Sequence, residues 1–205
     1  MTDTYLSDYY FFQPIRPVML EVGCFTRTCA TEWIRHYPAG RAIMVEPDPQ
    51  NYAKLEKLFA IASREMFQTH RLAIGDMDGI VPFYRYGHEQ WHSTTPRADK
   101  PLVETVEVEC CTLKTLLDKC RVDICDLLLL NCEGGEIPAL EQLAASESLR
   151  YRVRQVCTSF HCDHIHLYAP AVRDKLLSAL SEWYDIRQGA FKPIPYYLFT
   201  RKEPA

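Results

Sequence analysis

The chain is poor in glycine, with eight in 205 residues, a little over half the roughly 7% share of an average protein. That scarcity excludes collagen-like and glycine-rich flexible architectures, and it makes each glycine a position worth locating. Long apolar runs are also lacking. The densest, Leu127 to Leu130, falls far short of the roughly 18 residues of a membrane helix. There is no basic surplus: 23 Lys and Arg stand against 27 Asp and Glu, for a formal net charge of -4. Non-specific nucleic-acid binding needs a basic surface. Neither nucleic acid nor membrane is therefore the expected partner. The first ten residues carry Asp3 and Asp8 and no basic stretch, so no secretory signal peptide is expected.

Cysteine is abundant, with nine residues. An odd count without an export signal implies reduced thiols and a cytoplasmic location. Cys125, Cys132 and Cys157 sit inside apolar runs, where a thiol behaves as a small hydrophobe. With 47% hydrophobic and 24% charged residues, the chain has a globular composition. Its length suits one α/β domain over 1–205, with 1–17 as an aromatic-rich N-terminal arm or short helix.

Short apolar runs alternate with helical patterns. Val18 to Gly23, Ala42 to Glu46 and Asp126 to Cys132 read as buried strands, and Phe67 to Ile74 and Arg154 to Phe160 as further strands. Helices are expected over Thr28 to His36, Pro49 to about Arg64, Thr112 to Cys120, from Ile137 to Ala144, and from Val172 to Trp183. Val81 to Tyr86 and Val103 to Cys110 read as extended, joined by a long polar loop, Gly87 to Pro101. Tyr184 to Gln188 and Pro195 to Thr200 suit a terminal hairpin. Strand–helix alternation predicts a doubly wound, mostly parallel sheet with an antiparallel C-terminal hairpin.

Three stretches carry candidate chemistry. Glu21-Val-Gly-Cys-Phe-Thr-Arg27 ends strand one, where doubly wound sheets bind ligands and Gly23 would let a ligand approach the backbone. Its alternative is an ordinary strand-to-helix turn. Val45-Glu-Pro-Asp-Pro49 ends strand two. Glu46 follows Gly23 by 23 residues, close to the roughly 20 that separate a nucleotide-binding glycine from a ribose-binding carboxylate. Leu128-Leu-Leu-Asn-Cys-Glu-Gly-Gly-Glu136 runs a buried strand into two carboxylates. Burying these costs free energy unless they are paired. Capping of the next helix is compatible with either role.

In this order, the motifs resemble the FkbM family of S-adenosylmethionine-dependent methyltransferases, from about Val18 to Phe160. Glu46-Pro47 matches the family's Glu-Pro pair. Leu72 to Gly79 is similar to its segment after strand three, and Leu130-Asn-Cys-Glu-Gly-Gly-Glu136 to its hallmark I-D-x-E-G-x-E. Thr158-Ser-Phe-His161 stands where the family often has an acidic residue followed by His. The resemblance implies a Rossmann-like class I methyltransferase fold and S-adenosylmethionine as cofactor. It places Glu21, Gly23 and Glu46 along the cofactor, with Glu46 on the ribose and Asp76 on the adenine amine. Asn131 and Glu133 would face the methyl group and a small-molecule, sugar or natural-product hydroxyl.

A hydroxyl acceptor needs a base. His161 is the first candidate, since an ordinary imidazole titrates near neutrality, and Glu133 is the second. Three positions depart from the family pattern. Phe25 replaces its Asn, Arg27 its second glycine, and Asn131 the hallmark aspartate. They motivate an alternative, a non-catalytic binding module on the same fold. A nicotinamide oxidoreductase would need a G-x-G-x-x-G turn, and only Gly23 stands there. Cys157, His161, Cys162, His164 and His166 offer metal-ligand chemistry. Their spacing matches no standard finger, and no metal is expected. His88, Trp91 and His92 in the long loop would form either a substrate lid or exposed surface.

Overall fold

A computed structural model describes residues 15–26, 28–88, 91–162, 167–189 and 195–202. Arg27 and residues 163–166, with two of the candidate histidines, lie outside the described residues, as does most of the N-terminal arm.

The apolar runs become the centre of a seven-stranded sheet. Its strands are β1 (Val18–Val22), β2 (Arg41–Val45), β3 (Phe67–His70), β7 (Leu127–Leu130), β8 (Gln155–Ser159), β9 (Tyr184–Gly189) and β10 (Tyr196–Arg201), in the order β3-β2-β1-β7-β8-β10-β9. The first five are parallel, and β10 is antiparallel to both of its neighbours. Both faces are covered, which is why the central strands read as unbroken hydrophobic runs. Leu20, Val22, Ile43, Val45, Leu128 and Leu130 point to one core. It is closed by α3 (Leu113–Lys119), α4 (Glu136–Ala145), α5 (Glu147–Arg152) and α6 (Pro170–Leu180). Met19, Ala42, Met44, Leu127 and Leu129 point to the other, against α1 (Ala30–His36) and α2 (Pro49–Leu58). Seven of the nine cysteines are buried, and all of these but Cys110 fill the two cores as small apolar groups. Among the described residues, no helix is long and apolar enough to cross a membrane.

The run from Phe67 to Ile74 is not one strand. After β3 the chain turns at Arg71-Leu72, and β4 (Ala73–Ile74) leaves the large sheet to pair with β6 (Leu102–Cys111). With β5 (Gly79–Tyr86) these make a second sheet, ordered β4-β6-β5. The break has no glycine or proline to announce it. It follows from the pairing of Ala73 with Cys110 and of Ile74 with Cys111. The helix expected to reach Arg64 stops at Leu58, because Phe59 turns away to stack on Phe67 at a centroid distance of 4.9 Å. The short helix α5 was not anticipated; Ser146 caps it through a bond from the Leu149 N–H. Trp183 falls beyond the last helix, half-exposed beneath the Arg150 guanidinium at 4.2 Å.

Candidate active site

The strand order reverses between β1 and β7, so the carboxyl ends of β1, β2 and β7 meet at the switch point. Backbone bonds knit them together. Gly23 N donates to Val45 O (2.9 Å) and Asn131 N donates to Val22 O (3.1 Å). Gly23 has φ +78°, and a Cβ there would lie 2.1 Å from the Asn131 carbonyl oxygen. The glycine is required by the close approach of the two strand-end loops.

Glu21 turns its carboxylate onto the start of α1. It accepts from the Thr28 hydroxyl and from Cys29 N at 3.0 Å, holding the residue before the helix, and the N-cap Cys29 makes no side-chain capping bond of its own. Burial lifts its carboxyl to about 7 despite these donors. Glu46 is also buried. Its Oε2 accepts from Phe25 N (2.9 Å) and its Oε1 from Asp48 N (3.0 Å). Burial raises it to about 7 against the pull of both N–H groups. Phe25 makes its bond from a left-handed backbone, φ +52°. Asp76 lies exposed in the turn between β4 and β5. That turn is anchored by Gly75 N to Cys111 O (3.0 Å) and Gln142 Nε2 to Gly75 O (2.7 Å). Asn131 is exposed at the end of β7.

Past Asn131, the two hallmark carboxylates and His161 form a chain of charges. His161 is 2% exposed. Its Nδ1 lies 2.8 Å from Glu136 Oε1 and its Nε2 lies 3.2 Å from Glu133 Oε1. Glu136 is fully buried. It accepts further from Tyr168 OH (2.8 Å), His161 N (3.2 Å) and Gly134 N (2.8 Å). Burial alone would depress the imidazole, but Glu136 and Glu133 outweigh it and push His161 up to about 10. Burial likewise opposes ionisation of Glu136, and the His161 charge overrides it to hold the carboxyl low. His161 is therefore an imidazolium at neutral pH, with both ring nitrogens engaged. A neutral base is not what this geometry holds ready.

The long loop is pinned over these strand ends. Ser93 bridges to Tyr84 of β5 in both directions, and its hydroxyl donates to Glu133 O. Arg97 is buried and joins Glu133 Oε2 (3.3 Å) to Asp99 (3.0 Å). His92 Nδ1 lies 3.2 Å from Asp48 Oδ2, and Arg85 Nε lies 2.9 Å from the same oxygen. Trp91 packs against His88, and the Lys100 ammonium lies over its ring at 4.6 Å. Nothing in the local sequence marks Arg97 or Tyr168 as neighbours of these residues, and Asp48 stood out only as part of the strand-two motif. Cys157 belongs to one core and Cys162 to the other, on opposite faces as strand alternation requires. Among the described residues, no three His, Cys, Asp or Glu side chains gather as a metal site.

This strand order, with antiparallel β10 beside β8 and helices on both faces, defines a Rossmann-like class I methyltransferase fold. The sequence profile of the Methyltransferase FkbM domain matches residues 22–185, and the chain belongs to that family. Among solved structures, the chain is similar to the methyltransferase FkbM from Methylobacillus flagellatus KT, with TM-score 0.63 and 15% identity over 95% of this chain and 46% of that one. It thus spans less than half the length of that protein. It is also similar to a precorrin-6y C5,15-methyltransferase from Geobacter metallireducens GS-15, with TM-score 0.54 and 12% identity over 97% of this chain and 85% of that one. A Methanococcus jannaschii fibrillarin pre-rRNA processing protein matches at TM-score 0.54 and 10% identity, over 93% and 69% of the two chains. Comparison with curated protein sequences finds no significant match.

Proposed function

We propose that this chain is a cytoplasmic S-adenosylmethionine-dependent methyltransferase acting on a hydroxyl of a small molecule, a sugar or a natural product, with no nucleic-acid or membrane partner. One observation carries the reading. Glu46 is a buried carboxylate at the end of β2, and each of its oxygens accepts one backbone N–H. A carboxylate oxygen accepts more than one bond, so Glu46 retains capacity for both ribose hydroxyls. Gly23 and Glu21 shape the loop beside it, and Asp76 is assigned to the adenine amine. Asn131 and Glu133 are assigned to the methyl side. When bound, S-adenosylmethionine supplies a methyl group on a sulfonium, and methyl transfer from it needs mainly positioning.

The proton of the acceptor hydroxyl falls to Glu133 in this reading. Its side chain is 20% exposed while that of Glu136 is 0% exposed, so Glu133 is the carboxylate an acceptor can reach. His161 and Arg97 hold its two oxygens, and the imidazolium stays charged throughout. His161 is then a positioning group rather than the base.

Calorimetric titration with S-adenosylmethionine tests the reading. Heat of binding is expected for the wild type and its loss for Glu46→Ala; no heat from the wild type rejects it. Asn131, uncharged where the family has an aspartate, favours the second reading of a binding module. Cofactor binding without turnover across a broad panel of hydroxyl acceptors would select it.

A further inference from the structure

Asp48 makes more bonds than a helix cap requires. Its Oδ1 caps α2 by accepting from Gln50 N (2.8 Å) and Asn51 N (3.0 Å). Those bonds account for the ordinary role of an aspartate at this position. Its Oδ2 faces elsewhere, toward Arg85 of β5 (2.9 Å) and His92 of the long loop (3.2 Å). Both partners are themselves tied down. Arg85 Nη1 continues to Glu104 of β6 (2.6 Å), and His92 Nε2 lies 3.2 Å from Tyr86 O. The whole residue is buried. Its own N–H is one of the two donors that aim the Glu46 carboxylate.

One residue therefore touches three parts of the molecule: the start of α2, the ribbon formed by β5 and β6 with the loop beside it, and the carboxylate at the end of β2. We propose that Asp48 is a positioning residue, a latch that couples the seating of the ribbon and of loop 91–101 to the orientation of Glu46, and so to cofactor affinity. The coupling to affinity rests on the cofactor reading above; the latch itself does not. When Oδ2 loses its partners, the loop loosens, Asp48 shifts at the start of α2, and its N–H no longer holds Glu46 in place. Conversely, a ligand that fixes Glu46 favours the seated loop, since coupling between sites is reciprocal.

Asp48→Asn separates the latch from the cap. The amide keeps one capping oxygen and the backbone N–H, but its NH2 cannot accept from His92, and it carries no charge to pair with Arg85. The variant is expected to melt within a few degrees of the wild type. Amide hydrogen exchange across 91–97 in the cofactor-free protein is expected to quicken about tenfold, and the Kd for S-adenosylmethionine to rise by a similar factor. Arg85→Gln should give part of both effects, and the double variant should be no worse than Asp48→Asn alone, because both changes cut the same link. Unchanged exchange overturns the latch. Faster exchange with wild-type affinity overturns the coupling. A wild type that binds no S-adenosylmethionine rejects the cofactor reading instead, and the exchange comparison still decides the latch.

Discussion

Replacing Gly23 by alanine measures how tightly the switch point is built. The added Cβ would stand 2.1 Å from the Asn131 carbonyl oxygen, 2.8 Å from its carbonyl carbon and 2.9 Å from Cys132 Cα. All three are backbone atoms, so no side chain can rotate away. The neighbouring segments are themselves fixed through Gly23 N to Val45 O and Asn131 N to Val22 O. Two costs add. A left-handed backbone costs a non-glycine residue roughly 1–2 kcal/mol. Forcing a methyl group into packed surroundings costs about 1–3 kcal/mol. The sum, about 2–5 kcal/mol, corresponds to a loss of roughly 4–20 °C in melting temperature for a chain of this size. Thermal unfolding followed by circular dichroism reads it directly. Gly87→Ala is the control, since a Cβ there meets nothing within 4 Å; its melting temperature should hardly change. If Gly23→Ala melts with the wild type, the contact between the β1 and β7 loops is not as close as described, and the requirement for glycine fails.

Three further expectations follow from the buried charges and thiols. Glu21 and Glu46 stand at about 7 against a usual 4.5, and His161 at about 10 against 6.5. In each case the folded protein keeps a proton that the unfolded chain has lost, so stability is lost as pH rises, from 4.5 to 7 for the carboxyls and from 6.5 to 10 for the imidazole. Melting temperature should decline from pH 5 to pH 9, and Glu46→Gln should flatten the lower part; a flat or rising wild-type profile refutes this. Arg97→Gln leaves Glu133 with one cationic partner and Asp99 with Lys100. Neither carboxylate is stranded, since both are partly exposed, so the loss is that of the charged hydrogen bonds, about 1.5–3 kcal/mol; chemical denaturation should show a loss of that order, and a loss under about 0.5 kcal/mol would mean the pair is solvated. Burial, with Glu21 or Glu136 next in weight, raises the Cys29 and Cys132 thiols and suppresses their thiolates. The native protein should therefore react slowly with a disulfide reagent at pH 8 and expose nine thiols on unfolding; a rapid native phase would contradict the burial.

The central strands were legible because a parallel sheet buries both faces, which leaves an unmistakable mark in Leu127 to Leu130 and Ala42 to Val45. The ends of those strands at Gly23 and Glu46 were legible for a related reason: a glycine or charged residue directly after a buried run marks where the strand stops. What escaped was decided by distant partners. The break at Arg71-Leu72 depends on Cys110 and Cys111, and the early stop of α2 depends on Phe67. His161 looked like a base in isolation. Glu136, 25 positions away, and Glu133 turn it into a fixed cation. Arg97 sits in a loop without periodicity, and only the fold shows that its guanidinium is buried against Glu133.

The chain of charges from Arg97 through Glu133, His161 and Glu136 to Tyr168 also guards assembly. Its members come from the long loop, the β7–α4 turn, the end of β8 and the approach to α6. Sliding β8 along β7 by one residue would displace His161 by about 3.3 Å, more than a hydrogen bond tolerates. It would strand the His161 imidazolium and the Glu136 carboxylate in the interior. Leu128, Leu129 and Leu130 against Val156, Cys157 and Thr158 define the alignment of these two strands less sharply; the ionic chain accepts one. The sheet's apolar interior makes the fold stable, and this polar thread makes its register unique.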